Sequence, residues 1–292
     1  MTERMDPSTA RLDLSLYPTR PTHLLTATSG FVAPSLSELW QSRELLVSLA
    51  WRDVRARYKQ TVLGALWILV HPLLAAGIFT MIFTLVADLK APGGLPYFLF
   101  TFSGLLAWNG FSSVLSRSSG ALVGNAALVS KIYFPRLILP LATVLTVVVD
   151  FLVTLALLAV LVVIFWHPPS WSILLMPICV ALLWALALGV GLCAAAVAVT
   201  YRDALYVLPV LTQFLMWGSA VLFPTERVPQ RYLSILYLNP LVSLIEAFRW
   251  SVLGVGKVQW DAFGYSAAFV AVVLLCGTIA FRAMERRFAD VI

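Results

Sequence analysis

The chain has 292 residues, 61% of them hydrophobic and only 12% charged, with a formal net charge of +6 and a mean hydropathy of +0.91. Soluble domains carry about 25% charged residues, so this composition excludes a soluble domain wrapped in hydrated surface. The cations do not point to nucleic acid either, because they cluster in short segments beside apolar runs instead of lining a groove.

Residues 1–34 are polar, rich in Pro, Ser and Thr, and lack an apolar core. That argues against a cleaved signal peptide and predicts a mobile cytoplasmic tail. Ser35 and Glu38 then read as a capping box, which opens an interfacial helix over residues 35–60. On that helix Val47, Trp51, Val54 and Tyr58 share one apolar stripe, while Arg52, Arg55 and Lys59 share another face. A basic and aromatic helix directly before an apolar run belongs in the headgroup layer.

A bilayer core takes about 20 apolar residues per helix. Runs of that length occur at 62–86 (with a break expected at His71-Pro72), 95–115, 137–166, 173–199, 204–223 and 262–281. The expected fold is therefore an all-α membrane protein, with residues 61–292 forming one domain of six transmembrane helices. Six crossings put both termini on one side. With that side cytoplasmic, fifteen Lys and Arg residues lie inside and five outside, which is the positive-inside bias. Trp166 and Trp171 flank a tight Pro168-Pro169 turn, as in an aromatic belt on the outer face. His167 within that turn reads as a surface residue.

Between the fifth and sixth runs, residues 231–238 and 241–253 are helix-forming and apolar, each too short to cross, and divided by Asn239-Pro240. They are expected as short re-entrant helices on the outer side. Glu246 and Arg249, at i and i+3, are placed to pair and so lower the cost of burial.

Catalytic motifs are absent. There is no GxxxxGK[ST], HExxH or GxSxG, and Gly254-Val255-Gly256-Lys257 imitates only a fragment of a phosphate loop. Cys179, Cys193 and Cys276 lie singly in apolar runs, and His23, His71 and His167 are scattered, so neither a metal site nor a disulfide framework is indicated. The chain carries no cofactor and no ATP site of its own.

What remains concerns passage and coupling. Asp150 lies within the third run, where a carboxylate costs about 2.5–3.5 kcal/mol on insertion scales, so it is expected to face protein or water in a packing or path role. Asn109, Ser112, Ser113 and Gln213 are further polar groups in spans, suited to a path or to helix packing. Aromatic residues crowd the first, second and fifth runs, including Phe79, Phe83, Trp108 and Trp217, either as platforms for sugar rings or as lipid contacts. The cytoplasmic loop 117–136 holds a short apolar helix near 121–131, closed by Pro135, that suits a docking partner.

Several of these segments together resemble the membrane subunit of bacterial polysaccharide ABC exporters, the type-2 ABC permeases of O-antigen, capsule and teichoic acid export. The resemblance lies in Arg52-Asp53-Val54-Arg55-Ala56-Arg57-Tyr58-Lys59-Gln60-Thr61-Val62-Leu63-Gly64-Ala65-Leu66-Trp67 and in 125–131 followed by Phe134-Pro135-Arg136. It continues in Tyr201-Arg202-Asp203, Phe223-Pro224, Val228-Pro229, Asn239-Pro240, Arg249 and 285–290, and covers the chain from about Leu36 onward. It implies a homodimer in the bacterial inner membrane, bound to two copies of a separate ABC ATPase that holds ATP and Mg, and a glycan carried on a polyprenyl diphosphate lipid. By that likeness 35–60 is a gate helix, Asn125, Leu128, Val129 and Lys131 couple to the ATPase, and Arg52, Arg55, Arg57, Tyr58 and Lys59 stand where the diphosphate would arrive. Positive-inside retention alone also places cations there. The competing readings are a type-2 exporter of another lipid or small molecule and a membrane-embedded glycan-lipid transferase.

Overall fold

The computed structural model describes residues 40–59, 66–131, 134–167 and 170–285, and no strand occurs among them. The expected tail 1–34, the Ser35/Glu38 cap, residues 60–65, the Pro168-Pro169 turn and everything after Glu285 lie outside the described residues. In chain order the helices are α1 Arg43–Tyr58, α2 Leu66–Met81, α3 Tyr97–Gly124, α4 Ala126–Val129 and α5 Ile138–Ile164. They continue as α6 Met176–Thr200, α7 Ala204–Trp217, α8 Gln230–Leu236, α9 Pro240–Leu253 and α10 Trp260–Glu285.

Five helical stretches among the described residues are long and apolar enough to cross a membrane: Leu66–Val86, Tyr97–Gly124, Ile138–Ile164, Trp171–Thr200 and Trp260–Glu285. The first does not break at His71-Pro72. Helix α2 runs through Pro72, which is buried, and ends instead in a π-helical turn at Ile82–Val86. Within a span a proline costs a backbone bond that neighbouring groups can make good, so helical continuity survives it.

Helix α3 is the axis of the molecule. Of its most apolar window 78% is buried, against 11% for α2 at the periphery. It packs on α5 and α6, and α6 packs on α10. The α6–α10 approach is backbone to backbone: a Cβ on Gly277 would meet the Gly189 carbonyl oxygen at 2.1 Å. One core surrounds Phe102, Phe111, Phe151, Leu183 and Phe248, and a second joins α1 to the ends of α3, α6 and α10 and the start of α5.

Helix α3 also outruns its predicted end at residue 115 by more than two turns. Residues 121–124, expected in a separate loop helix, belong to α3. The break falls at Asn125, whose backbone is non-helical and whose side-chain amide donates to the Ala121 carbonyl at 2.9 Å, capping α3 before the four-residue α4 begins.

The fifth predicted run forms a helix of only 14 residues, about 21 Å long. Beyond Trp217 the chain unwinds, with Ala220 at φ 50°, but Ser219–Leu222 remain buried. Two of their carbonyls are answered by side chains, Tyr97 Oη donating to Leu222 at 2.7 Å and Arg249 Nη2 to Val221 at 2.8 Å, and Asn239 Nδ2 donates to the adjoining Gly218 carbonyl at 3.1 Å. Irregular backbone at membrane depth requires that kind of satisfaction. Gly104 is needed on α3, because a Cβ there would lie 2.4 Å from the Val221 oxygen.

Helix α1 packs on the first turns of α5 through Leu49 and Ala50, with Leu46 beside them. The expected Val47/Trp51/Val54 stripe is not the packed face, and Val47 and Trp51 are exposed. An apolar stripe unused inside the chain is available to headgroups or to another chain.

Candidate functional site

A group of polar side chains meets where α1, α3 and α5 cross. Asp150 lies twelve residues into α5, about 18 Å along it. Its Oδ2 accepts hydrogen bonds from Arg57 Nη1 on α1 and from Arg117 Nη2 on α3, the latter at 3.0 Å. Arg117 Nη1 also donates to Thr146 Oγ1 at 3.2 Å. One half-buried carboxylate thus sits between two guanidiniums, which accounts for its presence in an apolar run. This geometry ties α5 to α1 and α3 through Asp150. Sequence reasoning placed Arg117 in the cytoplasmic loop and so missed it, because the end of α3 was drawn too early.

The basic residues of α1 divide. Arg57 turns inward to Asp150, whereas Arg52, Arg55 and Lys59 are exposed. Arg52 bonds Asp53 at 2.8 Å and reaches Asn125 Oδ1 at 2.9 Å, linking α1 to the start of α4. Arg55 lies 5.6 Å from the Trp51 ring centre. Tyr58 closes the helix, and its side chain lies outside the described residues. In the coupling segment Val129 is buried, Leu128 half-buried and Lys131 exposed. Nearby, the Arg136 backbone N–H donates to Glu285 Oε1 at 3.2 Å, fastening the start of α5 to the end of α10.

The aromatic candidates separate as well. Trp217, Phe79, Phe83, Tyr97 and Phe100 form a continuous chain, with centroid distances of 6.0, 6.4, 6.2 and 5.5 Å between successive rings. Trp108 does not belong to it. It is buried in the core against Phe111 at 5.5 Å, so its placement on a path is corrected to packing.

The chain of rings ends on Arg249, whose guanidinium lies 3.8 Å from the Phe100 centroid. The expected Glu246–Arg249 pair does not form. Arg249 is drawn instead to the Val221 carbonyl of the unwound segment, and Glu246 accepts from the Thr225 hydroxyl and from Tyr237 Oη at 2.8 Å. An open carbonyl and two hydroxyls fit those positions better than two long side chains one turn apart. Burial pushes the Glu246 carboxyl above its ordinary range, against the hydrogen bonds from Thr225 and Tyr237 and the Arg249 charge. Burial and the Glu246 hydrogen bond push the Tyr237 phenol up. Thr225 and Tyr237 were not legible as partners, since they stand 21 and 9 residues from Glu246 in the chain.

Between α5 and α6, His167 and Ser172 hold the end of α9. His167 Nε2 lies 2.8 Å from the Leu253 carbonyl, and Ser172 Oγ donates to the carbonyls of Trp250 and Ser251. His167 is therefore half-buried and engaged, not the plain surface residue expected.

Comparison with known proteins places this architecture. The family model for ABC-2 type transporters matches residues 44–253. The O-antigen export system permease protein RfbA of Myxococcus xanthus is 30% identical over 255 residues, covering 87% of this chain and 97% of that protein. RfbA of Klebsiella pneumoniae is 28% identical over 85% of this chain and 95% of its own length. The polysialic acid transport protein KpsM of Escherichia coli is 29% identical over 82% and 92% respectively. A match that runs from α1 to the end of α9 means that this chain belongs to the ABC-2 type transporter family.

Proposed function

We propose that this chain is the membrane subunit of an ATP-driven exporter that moves a polysaccharide, carried on a polyprenyl diphosphate lipid, across the bacterial inner membrane. The observation that carries this reading is the likeness over more than four-fifths of the chain to relatives named for O-antigen export and polysialic acid transport. Energy comes from a separate ABC ATPase, two copies of which, with ATP and Mg, serve two copies of this subunit.

The geometry suits the task. The segment 204–222 lies beside α3 from Ser112–Arg117, which face Leu208, Pro209 and Thr212, to Tyr97, which bonds Leu222. Tyr97 and Arg117 stand twenty residues apart, about 30 Å, which supports reading the 14-residue helix plus unwound chain as a further crossing, the fifth in chain order, for six in all. Both termini are then cytoplasmic, in keeping with the fifteen-to-five bias in Lys and Arg. Helices α8 and α9 dip back from the outer side. The ATPase presses on 125–131, and the Arg52–Asn125 bond carries that displacement to α1. The ring chain Trp217–Phe79–Phe83–Tyr97–Phe100 offers successive flat faces to sugars.

The test is deletion of the gene followed by lipid and surface analysis. Polyprenyl-linked glycan should accumulate in the inner leaflet while surface polysaccharide disappears, and the full-length protein should co-purify with an ABC ATPase. Normal surface polysaccharide in the deletion strain refutes the reading.

A further inference from the structure

Helix α3 is buried over nearly its whole length, yet Asn109, Ser112, Ser113, Ser116 and Arg117 stay accessible. Their spacing of i, i+3, i+4, i+7 and i+8 makes one helical face. All five are polar, whereas Phe111, Val114 and Leu115 between them are buried and apolar. A polar stripe turned to lipid would be costly, so this face belongs to a water-filled cleft.

The cleft is present. A cavity of about 320 Å³ lies between α3 and α7, lined among others by Ser112, Ser113, Ser116, Arg117, Pro209 and Thr212. Among the described residues, its only charged lining group is the Arg117 cation. Thr212 and Ser112 give their protons to the Pro209 and Asn109 carbonyls, at 2.8 and 3.4 Å. Among the described residues, the Ser113 and Ser116 hydroxyls have no hydrogen-bond partner. These two sit three residues apart, with Arg117 one turn beyond Ser113, so a guanidinium and two uncommitted hydroxyl donors converge on one space. Arg117 shares the Asp150 carboxylate with Arg57, so the trio keeps one unit of positive charge.

We propose that this cleft is a binding site for a phosphate oxyanion, held by Arg117, Ser113 and Ser116, with Asp150 competing for the same guanidinium. The fork of a guanidinium with hydroxyl donors is the donor set that phosphate oxygens accept best. The volume suits a headgroup and is far too small for a polysaccharide. Its lining residues are other than the exposed Arg52, Arg55 and Lys59, and it is not legible in sequence because Arg117, which completes the polar stripe, lies beyond the end of the apolar run. Export supplies a natural source, the diphosphate of the lipid carrier, and the proposal rests on that reading for the source alone.

The experiment uses the full-length protein with its ATPase in phosphatidylcholine nanodiscs, and two probes, inorganic pyrophosphate and farnesyl diphosphate. Ser113→Ala with Ser116→Ala should weaken binding at least about tenfold, since hydrogen bonds to a charged group are lost. Asp150→Asn should tighten binding by about tenfold, because it frees two guanidiniums from a competitor. A merely structural role would not produce tighter binding. Tighter binding of farnesyl diphosphate than of pyrophosphate assigns the site to a membrane-borne diphosphate, and equal binding assigns it to soluble phosphate. Absence of binding by both probes, or affinities unchanged in both variants, overturns the site. That result leaves the export reading standing, because the deletion strain tests it independently.

Discussion

Gly277 lets α6 and α10 touch along their backbones, and a single methyl group tests that contact. A Cβ at this position would lie 2.1 Å from the Gly189 carbonyl oxygen and 2.9 Å from its carbonyl carbon. Ordinary contact begins at 3.4 Å, so the methyl stands about 1.3 Å too close. No rotamer change relieves it, because the obstacle is main chain. The reverse approach is equally tight, with a Cβ on Gly189 meeting the Leu274 backbone at 2.9 Å. Overpacking a filled core by one carbon costs about 1–3 kcal/mol, and here two helices must separate, which places the cost at the upper end. Replacing Gly by Ala inside a helix returns about 1 kcal/mol. The expected net loss for Gly277→Ala is therefore about 2 kcal/mol. Gly264 lies on the same helix with nothing within 4 Å of an added Cβ, so Gly264→Ala receives the propensity gain without the clash. Unfolding of the purified protein in mixed micelles with rising dodecyl sulfate compares the two directly. Gly277→Ala should unfold earlier than the parent, and Gly264→Ala at the same point or later. Equal stability of the two variants would refute the close-packing argument.

Other consequences are as specific. Trp108→Ala should destabilise the protein by about 3–5 kcal/mol in the same unfolding assay, as a buried core aromatic does. Phe79→Ala and Trp217→Ala should leave membrane insertion intact and reduce surface polysaccharide, measured by gel profile. Glu246 has its carboxyl raised in the folded state, so the fold binds an extra proton between the ordinary carboxylate range and that raised value. The stabilising contribution is present at acid pH and falls as pH climbs through that window, and Glu246→Gln should flatten the slope in thermal unfolding from pH 4 upward. Arg52→Gln or Arg52→Ala should lower export while sparing the fold, because the Arg52–Asn125 bond is exposed and worth about 1 kcal/mol to stability. Unchanged polysaccharide display in both variants would remove that bond from the coupling route.

Much of the molecule was legible before any coordinates. Helices α1, α2, α3, α5, α6, α8, α9 and α10 coincide with predicted segments, because apolar run length and turn residues such as Asn239-Pro240 are local signals. The errors were local in another sense. At Trp217 a helix stopped where hydropathy continued, since Tyr97 and Arg249 supply hydrogen bonds to the unwound carbonyls and so remove the reason for a helix. At residue 115 the hydropathy faded where the helix did not, because the polar stripe through Arg117 faces a cleft and an ion pair instead of lipid.

The order of amino acids by itself determined that this is a helical membrane protein, that its cations gather beside the apolar runs, and that it carries no nucleotide or catalytic motif of its own. Those properties add up residue by residue along the chain. Only the tertiary structure decided that Arg57 and Arg117, at separations of 93 and 33 residues, share Asp150. It also decided that Glu246 bonds Thr225 and Tyr237 instead of Arg249, and that Trp108 is core while Phe79, Phe83 and Trp217 join a chain of rings. Pairing depends on where helices cross and which faces they turn to one another, and a one-dimensional pattern of polarity does not carry that geometry.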